Sequence, residues 1–296
     1  MHFKTLRLPF AVVVILLAGC GAAVTAAPVQ PFATTIRPPS TRTQPAQTPE
    51  PAATPKPVEL TVFAAASLTE AFSELGEQFE AGHPGVTVVF NFAGSNQLAE
   101  QVNQGAPADV FASANTAQMQ AAIDGGRIAS GAHQTFVRNR LVVIYAKDNP
   151  ASLATLPDLA KPGVKVVFAA KEVPVGQYAL GFLDKAAQDA AYGAAFKEGV
   201  LANVVSYEEN VKAVLIKVLL GEADAGIVYT SDITRDNADQ VGRIDIPDAL
   251  NSIATYPIAA LDDSAHPDLA QAFVDLVLSS EGQDVLERHG FIKAAR

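Results

Sequence analysis

Cysteine is nearly absent from this chain. Cys20 is the single one in 296 residues, so neither an intramolecular disulfide nor a thiolate metal cluster can form. Positive charge is also scarce: 21 Lys and Arg face 31 Asp and Glu, for a formal net charge of -10. That balance argues against nucleic acid and against an anionic membrane patch, both of which need clustered basic residues. It leaves room for a small anion held inside a cleft. His83, His133, His266 and His289 are scattered, without the close pairing of a zinc site. No Gly-x-Ser-x-Gly elbow and no Gly-Lys-Ser/Thr phosphate loop occurs. The tyrosines form no adjacent pair of the sort that would hold a ferric ion.

What is present starts with an unusual N-terminus. "MHFKTLRLPFAVVVILLAGC" places Lys4 and Arg7 before an apolar run from Leu8 to Ala18, too short to span a bilayer comfortably. The pattern is that of an export signal over residues 1–20. Its ending, Leu17-Ala18-Gly19-Cys20, resembles a bacterial lipobox, which implies a lipidated Cys20 as the first mature residue. Residues 21–57 are rich in Pro, Thr, Ala and Gln. They cannot bury enough apolar surface to offset their ordering entropy, so they read as a disordered tether. No long apolar segment follows.

Nearly half of all residues are hydrophobic, enough for a sizeable core. From Val58 onward, short apolar runs alternate with segments of helical spacing. "ELTVFAAA" reads as a strand, and Leu68, Ala71, Phe72, Leu75 and Phe79 follow at helical intervals. Ser67 with Glu70 has the spacing of a capping box. "VTVVFNFAG", "ADVFASA", "RLVVIYAK", "VKVVFAA", "ADAGIVYTSD" and "TYPIAAL" read as further strands, most with a helix after them. The alternation predicts a largely parallel α/β sheet with a twofold flavour, in which the strands near 141 and 256 connect two halves.

Small or hydroxyl residues sit at four strand-to-helix junctions: Ser67, Gly94-Ser95-Asn96, Pro174-Val175-Gly176 and the stretch from Ser206 to Val211. Tyr229 ends a strand. In open α/β sheets ligands bind beyond the carboxyl ends of strands, where helix N-termini offer free N–H groups to an anion. Each serine could equally well cap its own helix.

"VFAAASLTEAF", "FNFAGSNQLAEQVNQGAPADVFASAN", "ENVKAVLIKVLLGEADAGIVYTSD" and "SSEGQDVLERHGF" resemble the molybdate-binding proteins of bacterial ABC importers, over residues 59–295. The resemblance implies a two-lobed periplasmic binding protein fold (type II), with the ligand cleft between lobes joined by two crossover strands. Lobe I would take 58–140 and 255–296, and lobe II 141–254. The oxyanion would be held by the hydroxyls of Ser67 and Ser95, the main-chain N–H groups of Val175 and Val211, and the hydroxyl of Tyr229. That family often has Ala where Val175 stands, which leaves the donor unchanged. Molybdenum would be present only as bound molybdate, or tungsten as tungstate, with no direct protein ligand and no cofactor.

The implied protein is a monomeric, lipid-anchored, extracytoplasmic solute-binding protein serving an ABC permease and its ATPase, and not an enzyme. Another tetrahedral oxyanion such as sulfate is an alternative. A sensor or adhesion lipoprotein on the same fold is a second. An esterase-like enzyme would need Ser67 or Ser95 paired with a histidine.

Overall fold

A computed structural model describes residues 57–294. Cys20, the export segment and the tether up to residue 56 lie outside the described residues. The chain from Val58 builds two sheets, one after the other, and then returns to the first.

The first sheet begins with β1 (Val58–Ala65), β2 (Val86–Ala93) and β3 (Val110–Ala112), with α1 (Thr69–Gly82), α2 (Ser95–Asn103) and α3 (Thr116–Asp124) interleaved. β1 lies between β2 and β3 and is parallel to both, Val62 facing Phe90 on one side and Val110 on the other. α1 forms because its apolar positions recur on one face. Ala71, Phe72, Leu75 and Phe79 are buried, and Phe72 and Phe79 meet Phe273 edge-on at 5.9 and 5.5 Å. Burying each such side chain contributes about 1.5–3 kcal/mol. α3 stops at Gly125 and Gly126, where Gly126 takes φ +76°, a conformation costly to any residue with a Cβ.

The chain then runs through β4 (Gln134–Asn139), passes Arg140 and enters the second sheet as β5 (Leu141–Ala146). That sheet adds β6 (Val166–Ala169), α4 (Pro174–Gln188), α5 (Gly193–Ala202), β7 (Val204–Glu208), α6 (Val211–Leu219), β8 (Ala225–Tyr229) and β9 (Val241–Asp245). Residues 246–253 lead back to β10 (Ala254–Ala260) in the first sheet, followed by α7 (Pro267–Leu278), α8 (Ser280–Arg288) and β11 (Ile292–Lys293).

The strand orders are β11-β4-β10-β3-β1-β2 and β7-β6-β8-β5-β9. In each sheet three parallel strands are followed by an antiparallel strand that has just arrived from the other half: β10 beside β3, and β5 beside β8. The two crossings are therefore the short links at Arg140 and 246–253. This is the two-lobed periplasmic binding protein architecture. The alternation of strands and helices announces it, but β4, β9 and α5 carry no clear periodic signal and are found only in the structure. β4 is half exposed, without a regular alternation, and runs into β5 with a single residue between them, so the sequence reads as one long strand starting at Arg140.

Candidate functional site

The carboxyl ends of β1, β2, β6 and β8 face one another across the gap between the lobes. Small side chains line the first lobe's wall: Ala65, Ala66, Ala93, Gly94 and Ala114, with Ser67 and Ser95 among them. The second lobe contributes Val173, Pro174, Val175, Asn210, Val211 and Tyr229. The cavity they line is about 10 Å³, of the order that holds a single water molecule. Three other depressions are far larger, about 420 to 460 Å³, and share none of these residues. The small residues after β1 leave backbone rather than bulky side chains at this wall.

All five residues predicted for the site line this one cavity. Neither serine does what a capping residue does. Ser67 lies in a single 3-10 turn, Ala66–Leu68, ahead of α1, and its hydroxyl makes no cap bond. The capping box with Glu70 is absent: Ser67 Oγ lies 2.9 Å from the Tyr256 hydroxyl, and Glu70 pairs with Lys212 at 2.7 Å. Ser95 is the first residue of α2, after Gly94. Its Oγ accepts the N–H of Ala114 at 3.0 Å, which leaves its own proton for the cavity.

α4 opens with Pro174, whose fixed φ suits the first helical position. The first main-chain bond back to the residue before the helix comes from Gln177 to Val173. The N–H of Val175 precedes it and has no partner within the helix. In α6 the N-cap Asn210 accepts the N–H of Ala213 at 3.0 Å, leaving that of Val211. Tyr229 is 1 % exposed, and its hydroxyl is buried without a hydrogen-bond partner among the described residues. Burial, reinforced by Tyr256, Tyr178 and Asp232, pushes its pKa well above the ordinary tyrosine value. It therefore stays protonated and available as a donor. Among the described residues no Lys, Arg, His, Asp or Glu lines the cavity.

The lobes touch around the rim. Gln97 Nε2 donates to Glu209 Oε2 at 3.3 Å, and Asn115 Nδ2 to Gln177 Oε1 at 3.0 Å. Lys212 ties Glu70 of the first lobe to Asp232 of the second, at 2.7 and 3.4 Å. Burial alone would lower this ammonium's pKa, but Asp232 and Glu70 outweigh it and hold it above the ordinary lysine value. Lys212 is thus neutralised by carboxylates and is not a counter-ion for the cavity. Among the described residues neither Ser67 nor Ser95 meets a histidine: His83 bonds to Phe79 O and His289 to Glu74. Sequence reasoning missed Tyr256 and Asn139, which stand behind Ser67. Both lie on strands, and nothing local marks them.

Two α/β lobes that exchange strands and line a small cavity between them with hydrogen-bond donors define a solute-binding protein. Comparisons with known proteins agree. A family model for the bacterial extracellular solute-binding proteins matches residues 60–292. The molybdate-binding protein ModA of Mycobacterium tuberculosis is 42% identical over 234 residues, covering 79% of this chain and 84% of that protein. A solved substrate-binding domain of a putative molybdenum ABC transporter from Clostridium difficile is 32% identical, with TM-score 0.60, covering 80% of this chain and 100% of that one. The periplasmic molybdate-binding protein of Azotobacter vinelandii covers 80% of this chain and all of its own at TM-score 0.69 and 19% identity, a likeness of fold. The chain belongs to the bacterial extracellular solute-binding protein family.

Proposed function

We propose that this protein captures molybdate, and tungstate with it, in the cleft between its lobes and delivers the anion to an ABC permease powered by an ATPase. Ser67, Ser95 and Tyr229 donate hydroxyl protons, and Val175 and Val211 donate main-chain N–H groups. The observation that carries this reading is the Tyr229 hydroxyl, which among the described residues is buried without a partner at a cavity lined by no charged side chain. Leaving such a group unpaired costs about 1–3 kcal/mol, and a bound oxyanion removes that cost. The absence of lysine and arginine is no obstacle, because several hydrogen bonds to an ionised group in a dry site are strong. It also accounts for anion capture by a chain of net charge -10.

Calorimetric titration is the direct test. Molybdate and tungstate should each bind at one site per chain, and sulfate at least roughly tenfold more weakly, about 1.4 kcal/mol. Absence of saturable binding by all three anions would overturn the reading. Tighter binding of sulfate would reassign the ligand within the same site.

The lobes in this reading are 58–140 with 255–296, and 141–254. Residues 21–57 tether them to a lipid on Cys20, which keeps the protein at the outer face of a membrane. No helix among the described residues is long and apolar enough to cross a membrane. Cys20→Ser should move the protein from the membrane fraction to the soluble fraction. A variant retained at the wild-type level would refute the lipid anchor.

A further inference from the structure

Ser67 can serve an anion only if its proton points into the cavity, and the residues behind it decide that. Asn139, at the end of β4, is fully buried. One of its side-chain atoms faces the main-chain N–H of Arg140 at 2.9 Å. A main-chain N–H only donates, so that atom is the oxygen, and the Thr230 hydroxyl bonds to the same oxygen at 3.0 Å. The amide nitrogen therefore points the other way, to Ser231 Oγ at 2.8 Å and to the Tyr256 hydroxyl at 3.5 Å. An amide nitrogen only donates.

Tyr256 is also fully buried. Among the described residues its hydroxyl lies 2.9 Å from Ser67 Oγ and, in a longer contact, 3.5 Å from the Asn139 nitrogen, with Tyr229 beside it. If Ser67 donated to Tyr256, the phenolic proton would be left the neighbouring Tyr229 hydroxyl as its outlet and Ser67 would have no proton for the ligand, whereas the reverse direction leaves the protons of both Ser67 and Tyr229 free for it. The favourable direction is Asn139 to Tyr256 to Ser67. Ser95 is set in the same sense by the Ala114 N–H.

We infer that Tyr256, oriented by Asn139, is a positioning residue that locks Ser67 as a hydrogen-bond donor toward the ligand and so biases the site against anions that carry a proton. The inference rests on the oxyanion reading of the cleft and deepens it. Burial, the largest influence on Tyr256, raises its pKa far above the ordinary value, so the relay keeps its proton in solution. In a locked site a ligand O–H would point at a donor. Without the lock, Ser67 could turn and accept it.

The test is a double-mutant cycle on the full chain, titrated with molybdate and with inorganic phosphate near neutral pH, where phosphate carries a proton. Tyr256→Phe should weaken molybdate binding by about tenfold in the wild-type background. It should have little effect once Ser67→Ala is present, because the relay then ends in nothing. The preference for molybdate over phosphate should also shrink in Tyr256→Phe.

A packing role for Tyr256 would give equal losses in both backgrounds and an unchanged preference, and that result would overturn the relay. If Ser67→Ala has no effect on molybdate binding, the oxyanion reading fails and the relay with it. If Ser67→Ala weakens binding but Tyr256→Phe does not, the relay alone fails. Should Tyr256→Phe not fold, the wild-type protein still decides: it must prefer molybdate to phosphate by at least about a hundredfold, and equal binding would refute a locked donor.

Discussion

Gly94→Val is expected to leave both lobes folded and to abolish tight binding. A Cβ on Gly94 would lie 2.5 Å from the main-chain oxygen of Glu209 in the opposite lobe. Real Cβ atoms do not approach so closely, and main chain cannot step aside as a flexible side chain can. Within its own lobe the substitution is mild: Gly94 has φ -61° and ψ 134°, ordinary values for any residue. The other near atom, Asn96 Oδ1 at 2.8 Å, ends a side chain that can move.

The branched side chain would therefore prop the lobes apart. The donors from the second lobe, Val175, Val211 and Tyr229, would no longer reach a ligand resting on Ser67 and Ser95. A hydrogen bond to an ionised group contributes roughly 1.5–3 kcal/mol, so loss of two or more weakens molybdate binding by at least about a hundredfold. Small-angle scattering should show the wild type more compact with molybdate than Gly94→Val under the same conditions, with similar melting temperatures. Wild-type affinity in Gly94→Val would mean that the apposition of Gly94 and Glu209 is not needed for binding.

Tyr229→Phe should move stability and affinity in opposite directions. The lost hydroxyl is buried and unpartnered, so its removal should raise the stability of the ligand-free protein by about 1 kcal/mol or leave it unchanged. Molybdate affinity should fall tenfold to a hundredfold, because one donor to a charged ligand is gone. Ser67→Ala and Ser95→Ala should weaken binding by a similar factor. Ser95→Ala should also cost stability, since it leaves the Ala114 N–H without its acceptor. Val175→Ala keeps its main-chain N–H and should be nearly silent in binding. Thermal melts and titrations of this set separate donors from packing. If Ser67→Ala, Ser95→Ala and Tyr229→Phe all bind as the wild type does, the anion sits elsewhere.

Ion pairs around the cleft should contribute far less than these donors. Lys212 is partly buried and bridges the lobes, but it sits beside the cavity and is already matched by carboxylates. Exposed pairs such as Arg288 with Glu74 hold only the surface of the first lobe and are worth little in water.

The class of fold was legible from local patterns alone. Strand-length apolar runs such as Val62 to Ala65 and helical stripes such as Phe72, Leu75 and Phe79 are local patterns, and burial enforces them wherever they occur. The sequence also placed each candidate donor at a strand end or helix start, because small residues and hydroxyls concentrate where backbone must approach a ligand. What it left open was whether Ser67 and Ser95 cap helices or face a cleft, since both roles favour the same residue at the same position. Long-range contacts resolve it, by setting Tyr256 behind one serine and Ala114 behind the other. β4 and β9 were hidden for a related reason: their strand character comes from pairing with β10 and β5, not from a pattern of their own. Asn139 and Tyr256 lie 117 residues apart in sequence and touch only because the chain crosses between the lobes twice. A hydrogen bond's direction depends on every partner in the network, and no local stretch of sequence contains them all.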